Sequence, residues 1–489
     1  MLVLRGDRHC VKKLNLMWKL TKYEAILAVC FLLTLPLLRP WIHGDGRGYY
    51  AYGRALLLQH NLDFELDWEK GYEASPHFHD PGFRDNYVTP NGHINNHWTI
   101  GPAILWSPFL LSGRAAALLI DHFAHTSLAS DGFSKPYIFS MALGTYIYGF
   151  LALLFSMRLA KRYIEERWAF VATVAIWLAS SFAFYLYAEP SFAHIPSAFL
   201  VSLFILIWDR TRAERTWPQW LALGILAGLM MDTYYPNVLV LLLPLFDMLQ
   251  GVRNSFRDSG KYPWKKLLAG NLAFASAAVI AFFPSLLTKK ILYDGYFHSG
   301  YKQSWHWYSP AFFRVCFSSH GVFSWTPVLI PAVFGLFFLR RVDRGLSNIF
   351  FTTVIAFTYF IGCYQDWHAI PSFGNRFFIT LTPLFVLGLA AGLGWLSKVW
   401  LEQRVWASAL AATGLLIVWN FGLMYQFGTH LFPQDGEVSW KSVAYNQVVV
   451  LPTVASQWLE RAITGKTNSL PAGISSVPAA TSDSRAAGQ

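Results

Sequence analysis

IGPAILWSPFLLSGRAAALLI, residues 100–120, is long and apolar enough to count as a membrane span, and whether it crosses sets the topology of the whole chain. If it crossed, the cluster Arg158, Lys161, Arg162 and Arg167 would lie outside and every later basic loop would invert with it. If it lies along the outer interface, the basic segments 1–23, 158–167, 210–215, 253–266, 340–344 and 398–404 all share the cytoplasmic side, and they hold 23 of the 39 Lys and Arg residues. Pro102, Pro108 and the Ser112-Gly113-Arg114 interruption also suit a bent juxtamembrane helix better than a straight span. The stretch is therefore read as interfacial.

The rest of the chain agrees with a membrane setting. Of 489 residues, 54% are hydrophobic and only 14% charged, where soluble domains carry about 25% charged residues. Apolar windows near 24–42, 137–157, 169–187, 193–208, 218–234, 236–250, 267–287, 322–339, 347–363, 378–396 and 405–424 predict an all-α polytopic integral membrane protein with about eleven transmembrane helices. Juxtamembrane helices are expected in a long outer loop, 43–136. The basic residues 1–23 precede a retained signal anchor and form a cytoplasmic N-terminus; 24–425 form the transmembrane domain; 426–489 form an outer-side tail whose last 25 or so residues are Ala/Ser/Pro-rich and read as disordered. The net charge of +11 comes from short clusters between apolar spans, so it marks topology and not a nucleic-acid partner. Four scattered cysteines make no disulfide framework, and no Cys/His cluster has metal spacing. Cys316 and Cys363 are read as unpaired thiols.

The chemistry centres on His43-Gly44-Asp45-Gly46-Arg47-Gly48-Tyr49-Tyr50, directly after the first span. One carboxylate, Asp45, sits where hydrocarbon gives way to water, flanked by glycines that leave it uncrowded. Tyr49, Tyr50 and Tyr52 are amphipathic rings of the kind found at membrane interfaces. A carboxylate so placed suits a general base. Glu189, in Tyr187-Ala188-Glu189-Pro190, ends the third span on the same side, and His194 starts the next as an interface histidine. In the first loop His93, Asn95, Asn96 and His97 form one polar cluster and His77, His79 and Asp80 another, the latter read as solvated and not as a metal site.

The order HGDGRGYYAYGRALL, NNHWTIGPAILWSPF, FSSHGVFSWTPVL, SFGNRFFI, spread over roughly residues 24–425, resembles the GT-C superfamily of membrane glycosyltransferases, in particular family-39-like proteins related to protein O-mannosyltransferases and the lipid A aminoarabinose transferase. The resemblance implies a sugar donor on a polyprenyl-phosphate or diphosphate carrier, a glycan, lipid or protein acceptor, and an inverting transfer at the outer face of a cell inner membrane. On that reading Asp45 is the base, and Glu189 holds a divalent metal or orients the acceptor; the metal is optional, because phosphate leaves without protonation. A lipid-linked phosphate needs outward-facing cations: Arg376 is the first candidate, with Lys289, Lys290 and Arg314 beside His320 as further ones. Asn95 and His97 are placed near the sugar, and Tyr50 with them. Two other classes compete. A secondary transporter would show repeated halves and mid-membrane ionisable groups, whereas Asp232 and Asp247 lie near span ends; a lipid-linked-sugar flippase or assembly factor would bind the lipid yet tolerate loss of Asp45.

Overall fold

The computed structural model describes residues 19–74, 88–257, 264–298, 300, 304–434 and 436–464. His77, His79 and Asp80, most of the basic N-terminus and residues 465–489 lie outside that set. Among the described residues the structure is helical, with two isolated bridges, Val88 with Ile94 and Trp305 with Tyr364, and no strand. The chain divides into Met1–Val438, which holds the candidate spans found among the described residues, and Ser439–Gln489, which contains the helices Trp440–Tyr445 and Leu451–Thr464.

Helix α1 (Lys22–Leu33) begins at a capping box, in which Thr21 and Glu24 satisfy each other's backbone N–H groups. It stops early because Pro36 follows. The rest of the first apolar window is a short turn and an extended stretch, whose freed Arg39 N–H donates to the Tyr187 carbonyl at 2.8 Å. The Trp41 indole N–H donates to the carbonyl of Ala188 at 2.5 Å. These bonds draw the end of the first span onto the segment that carries Glu189.

Helix α2 (Gly46–Arg54) and helix α3 (Glu65–Ala74) lie in the first loop. They are joined by Arg54, which donates from Nε to Asp67 Oδ1 at 2.8 Å and from Nη2 to Oδ2 at 2.5 Å. Both side chains are almost wholly buried, so neither charge can fall back on water. Arg54→Ala or Asp67→Ala alone is expected to lower stability by about 3–5 kcal/mol, because each leaves an uncompensated buried ion. The double replacement Arg54→Met with Asp67→Leu should recover most of that loss. Thermal unfolding of the four proteins in detergent checks it; equal melting temperatures for wild type and Arg54→Ala would refute it.

Helix α4 (Gly101–Ala124) packs on α5 (Lys135–Ala160); the Trp106 indole N–H donates to the Thr145 hydroxyl at 2.9 Å. Next come α6 (Glu166–Leu178) and α7 (Ser181–Tyr187), which bend by 63° at a Ser180 cap, then α8 (His194–Thr211) and α9 (Trp217–Thr233). Helix α10 (Leu242–Arg257) leads to α11 (Trp264–Tyr293). Gly224 and Gly228 of α9, a small-xxx-small pair, let α11 approach closely: a Cβ on either would lie 2.3 or 2.4 Å from the carbonyl oxygen of Phe274 or Ala278. The chain continues through α12 (Phe312–Phe317), α13 (Val322–Trp325), α14 (Leu329–Gly335), α15 (Arg344–Cys363), α16 (Thr382–Val399) and α17 (Glu402–Gly428). Cys316 and Cys363 are free thiols.

Seven helices among the described residues are long and apolar enough to cross a membrane, or nine if each of two bent pairs is one span. The eleven read from sequence differ for a physical reason. The first span is a 12-residue helix cut short by proline. Helix α9 has 17 residues, and α8 ends in the charged pair Asp209-Arg210. Helix α4 passes the same length and hydropathy test, although the sequence reading set it along the interface.

The ends of these helices are held in register by a buried polar ring. Asn237 donates to the Ser197 hydroxyl at 2.8 Å and to the Met230 carbonyl at 2.7 Å, and accepts from the Thr380 hydroxyl at 2.7 Å. In a low-dielectric interior such a fully paired network specifies one arrangement. It fixes the start of α8, the turn after α9 and the turn before α16 relative to each other.

Candidate active site

Asp45 occupies the N-cap position of α2 but makes no capping bond. Its Oδ2 instead accepts from Arg376 Nη2 at 2.7 Å, across 331 residues of sequence. Local backbone explains how the carboxylate gets there. Gly44 has a left-handed φ of +51°, a conformation that suits glycine. A Cβ on Gly46 would lie 2.0 Å from the Ser191 hydroxyl, so the glycines serve close packing against 191–192 as much as they uncrowd Asp45.

Arg376 opens the turn Arg376–Leu381, and its Nη1 donates to the Ala369 carbonyl at 3.1 Å. Its guanidinium carbon lies 5.3 Å from the Phe192 ring centroid and 5.7 Å from that of Phe377, so the cation is flanked by aromatic faces. The Asn375 amide, which donates to the Trp367 carbonyl at 2.9 Å, folds this loop back on itself.

Asp45 and Arg376 border a cavity of about 310 Å³. Its wall is largely aromatic: Tyr49, Trp98, Tyr234, Tyr235, Trp305, Tyr364 and Phe377 take part, with His97, Thr99, His194 and Asp366 as polar members. The volume lies at the lower end of the roughly 300–1,000 Å³ range usual for ligand pockets, and the mix of aromatic surface with few polar groups is typical of them.

The other residues singled out from sequence fall in several places. His97 lines the cavity, stacked on Trp98 at 3.8 Å between ring centroids. Desolvation, with the Lys289 charge nearby, pushes its pKa down to about 3, so near neutral pH it is an uncharged hydrogen-bonding group. Lys289 is buried and donates to the backbone carbonyls of His97 at 2.9 Å, Trp98 at 3.3 Å and Asn96 at 3.4 Å. It ties the 96–98 strip to α11 and is not itself part of the wall. Lys290 is half-buried and pairs with Asp294, just past the end of its helix. Arg314 is exposed and stacks on Trp367 at 5.2 Å. His320 is buried, with Nε2 2.5 Å from the Gly436 carbonyl. The Asn95 side chain meets the Tyr293 hydroxyl. Tyr50 points into the core and donates to the Gly132 carbonyl at 2.5 Å, whereas its neighbour Tyr49 faces the cavity.

Glu189 does not line the cavity. Its Oε1 lies 3.1 Å from Nδ1 of His43, two residues before Asp45, and that ring stacks on Trp41. The second acidic member of the wall is Asp366, in the loop that also presents Arg376; its type was readable, but its place on one wall with Asp45 was not. Among the described residues no three of His, Cys, Asp and Glu are grouped so as to hold a metal ion. Sequence reasoning passed over Trp98, Tyr234, Tyr235 and Trp305; their one legible signal was the clustering of aromatics in the segments between apolar windows.

Residues 126–283, about a third of the chain, match the family model described as dolichyl-phosphate-mannose-protein mannosyltransferase. The matched stretch holds Glu189, His194 and Tyr234 but not Asp45, His97 or Arg376. No curated protein matches the chain. Similar solved structures include the Archaeoglobus fulgidus oligosaccharyltransferase in its apo form, at 14% identity and a TM-score of 0.42, covering 90% of this chain and 55% of that one. They also include the archaeal oligosaccharyltransferase AglB from Archaeoglobus fulgidus in complex with an inhibitory peptide and a dolichol-phosphate, at 12% identity and a TM-score of 0.40, covering 92% of this chain and 56% of that one. The chain thus spans a little over half the length of these two oligosaccharyltransferases. The family-model match agrees with the motifs: the chain is similar to GT-C membrane glycosyltransferases.

Proposed function

We propose that this protein is a membrane glycosyltransferase that moves a sugar from a polyprenyl-phosphate or diphosphate carrier to an acceptor at the outer face of a cell inner membrane. The observation that carries the reading is the Asp45–Arg376 contact inside an aromatic-walled cavity at the helix ends. Asp45 takes the proton of an acceptor O–H or N–H as that atom forms its bond to the anomeric carbon. The bond from that carbon to the carrier phosphate oxygen breaks with inversion, and the electron pair leaves on the phosphate. Arg376 stands beside both events. Its fork carries five donors, so it can hold Asp45 in place while another edge offsets the charge gathering on the departing phosphate. The aromatic rings suit the apolar faces of a sugar. Lys289, Lys290, Arg314 and His320 are given no direct part in this mechanism, and Asn95 supports the 96–98 strip from behind.

The cavity also supports the topology. Residues 97–99 precede α4, and His194 follows it, yet both border one cavity. Helix α5 and the α6–α7 pair make two crossings between them, which return the chain to the same side; α4 as a third would separate the two walls. An interfacial α4 fits an even number of crossings between the cavity-lining segments 97–99 and 194.

The test is mass analysis of envelope glycolipids and glycans from a deletion strain. The expected result is loss of one sugar substituent, restored by the wild-type gene. A glycan and lipid profile identical to that of the parent strain would overturn the proposal.

A further inference from the structure

His194 is 2% exposed, borders the cavity, and has no hydrogen-bond partner on either ring nitrogen among the described residues. Its surroundings explain why none is at hand. Tyr185 and Tyr234 meet it edge to face at 5.4 and 5.6 Å, Phe192 lies 6.1 Å away, and Phe377 lies at 6.4 Å. A buried imidazole without partners is costly, and the large majority of buried polar side-chain atoms have one. Elsewhere on the wall Asp45 pairs with Arg376, whose Nη1 and Nη2 are both engaged although its Nε is not, and the carbonyls behind His97 have Lys289.

We infer that His194 is a specificity residue, which the transferred sugar completes by hydrogen-bonding one of its hydroxyl groups to the His194 ring inside the aromatic wall. This rests on the glycosyltransferase reading and goes beyond it by naming the atom set that reads the sugar. The chemistry of the ring selects the ligand group. A neutral imidazole offers one N–H donor and one bare nitrogen acceptor. A phosphate has only acceptors to offer and is better matched by the guanidinium of Arg376, which already borders the same space. A hydroxyl both donates and accepts, so it can satisfy whichever nitrogen faces it. The tyrosine and phenylalanine rings around His194 supply the apolar surface on which the C–H face of a pyranose or furanose can rest. A site built to hydrogen-bond a hydroxyl discriminates strongly against ligands that lack it.

The test compares wild type, His194→Phe and His194→Asn in the full-length protein reconstituted in nanodiscs. Two probes are used: bare polyprenyl phosphate, and a panel of polyprenyl-phosphate hexoses and pentoses. Wild type should bind one sugar-loaded lipid at least tenfold more tightly than the bare lipid. His194→Phe keeps the ring packing and removes both nitrogens; it should bind the bare lipid as wild type does, lose the tenfold preference, and unfold at the same or a higher temperature. His194→Asn, which keeps a donor and an acceptor, should recover part of the preference. If wild type discriminates and His194→Phe discriminates equally, or if His194→Phe weakens both lipids alike, the role of His194 is refuted while the glycosyltransferase reading stands. If wild type never prefers a sugar-loaded lipid, the glycosyltransferase reading falls, and the role of His194 falls with it.

Discussion

Asp45→Asn should abolish sugar transfer, lowering kcat by about 10²–10⁴-fold, the usual contribution of a positioned general base, while the protein still folds and inserts. The amide keeps the shape of the carboxylate and its place at the head of α2, but cannot take a proton. It also leaves the Arg376 guanidinium without its anionic partner in a site where that side chain is only 12% exposed. Two consequences separate this outcome from simple misfolding. Binding of bare polyprenyl phosphate should persist or tighten, because the freed cation is available to the phosphate. Asp45→Glu, which retains the base but displaces it by one methylene, should keep a measurable rate. Transfer assays on membranes with matched protein levels make the measurement, and wild-type turnover by Asp45→Asn would eliminate the residue as base. Full complementation by Asp45→Asn together with an inactive Arg376→Ala would favour a protein that binds the lipid without reacting it, as a flippase would.

Arg376→Ala carries the second large effect. In the proposed mechanism it removes the cation that faces the leaving phosphate, and it also releases Asp45, which pairs with it at 2.7 Å. A fall of at least 100-fold in kcat/KM is expected, in line with the loss of one donor aimed at developing charge. Arg376→Lys should recover part of it, since an ammonium offers a point charge but not the planar fork that spans Asp45 and the Ala369 carbonyl. The two residues act as a unit, so Asp45→Asn with Arg376→Ala should be scarcely worse than the more damaging single change. Additive losses would show that the contact is incidental to the reaction.

The two predictions rest on different levels of information. Asp45 was visible because one carboxylate between glycines ends an apolar span, a pattern local to a few residues. Arg376 was visible as an arginine two residues after a glycine, in a loop read as outer. That they touch was not visible, because 331 residues and several spans separate them and no periodicity encodes which loops meet. Lys289 shows the converse: next to Lys290 at the end of a span it read as one of a surface pair, yet the fold buries it against three backbone carbonyls and leaves its neighbour half-exposed, paired with Asp294. Tyr49 and Tyr50 also read alike, and the helix between them turns one toward the cavity and the other into the core.

Hydropathy, proline position and the sidedness of basic clusters determined that this chain is a helical membrane protein, because burying apolar side chains in hydrocarbon and keeping Lys and Arg out of it are demands each segment meets by itself. Tertiary structure alone decided which helix ends converge and that His194 borders the cavity with no hydrogen-bond partner among the described residues. Those outcomes depend on how close-packed helices fit, through contacts such as Gly224 and Gly228 against α11 and the Ser197–Asn237–Thr380 ring, and such fits are properties of pairs of distant segments rather than of any one of them.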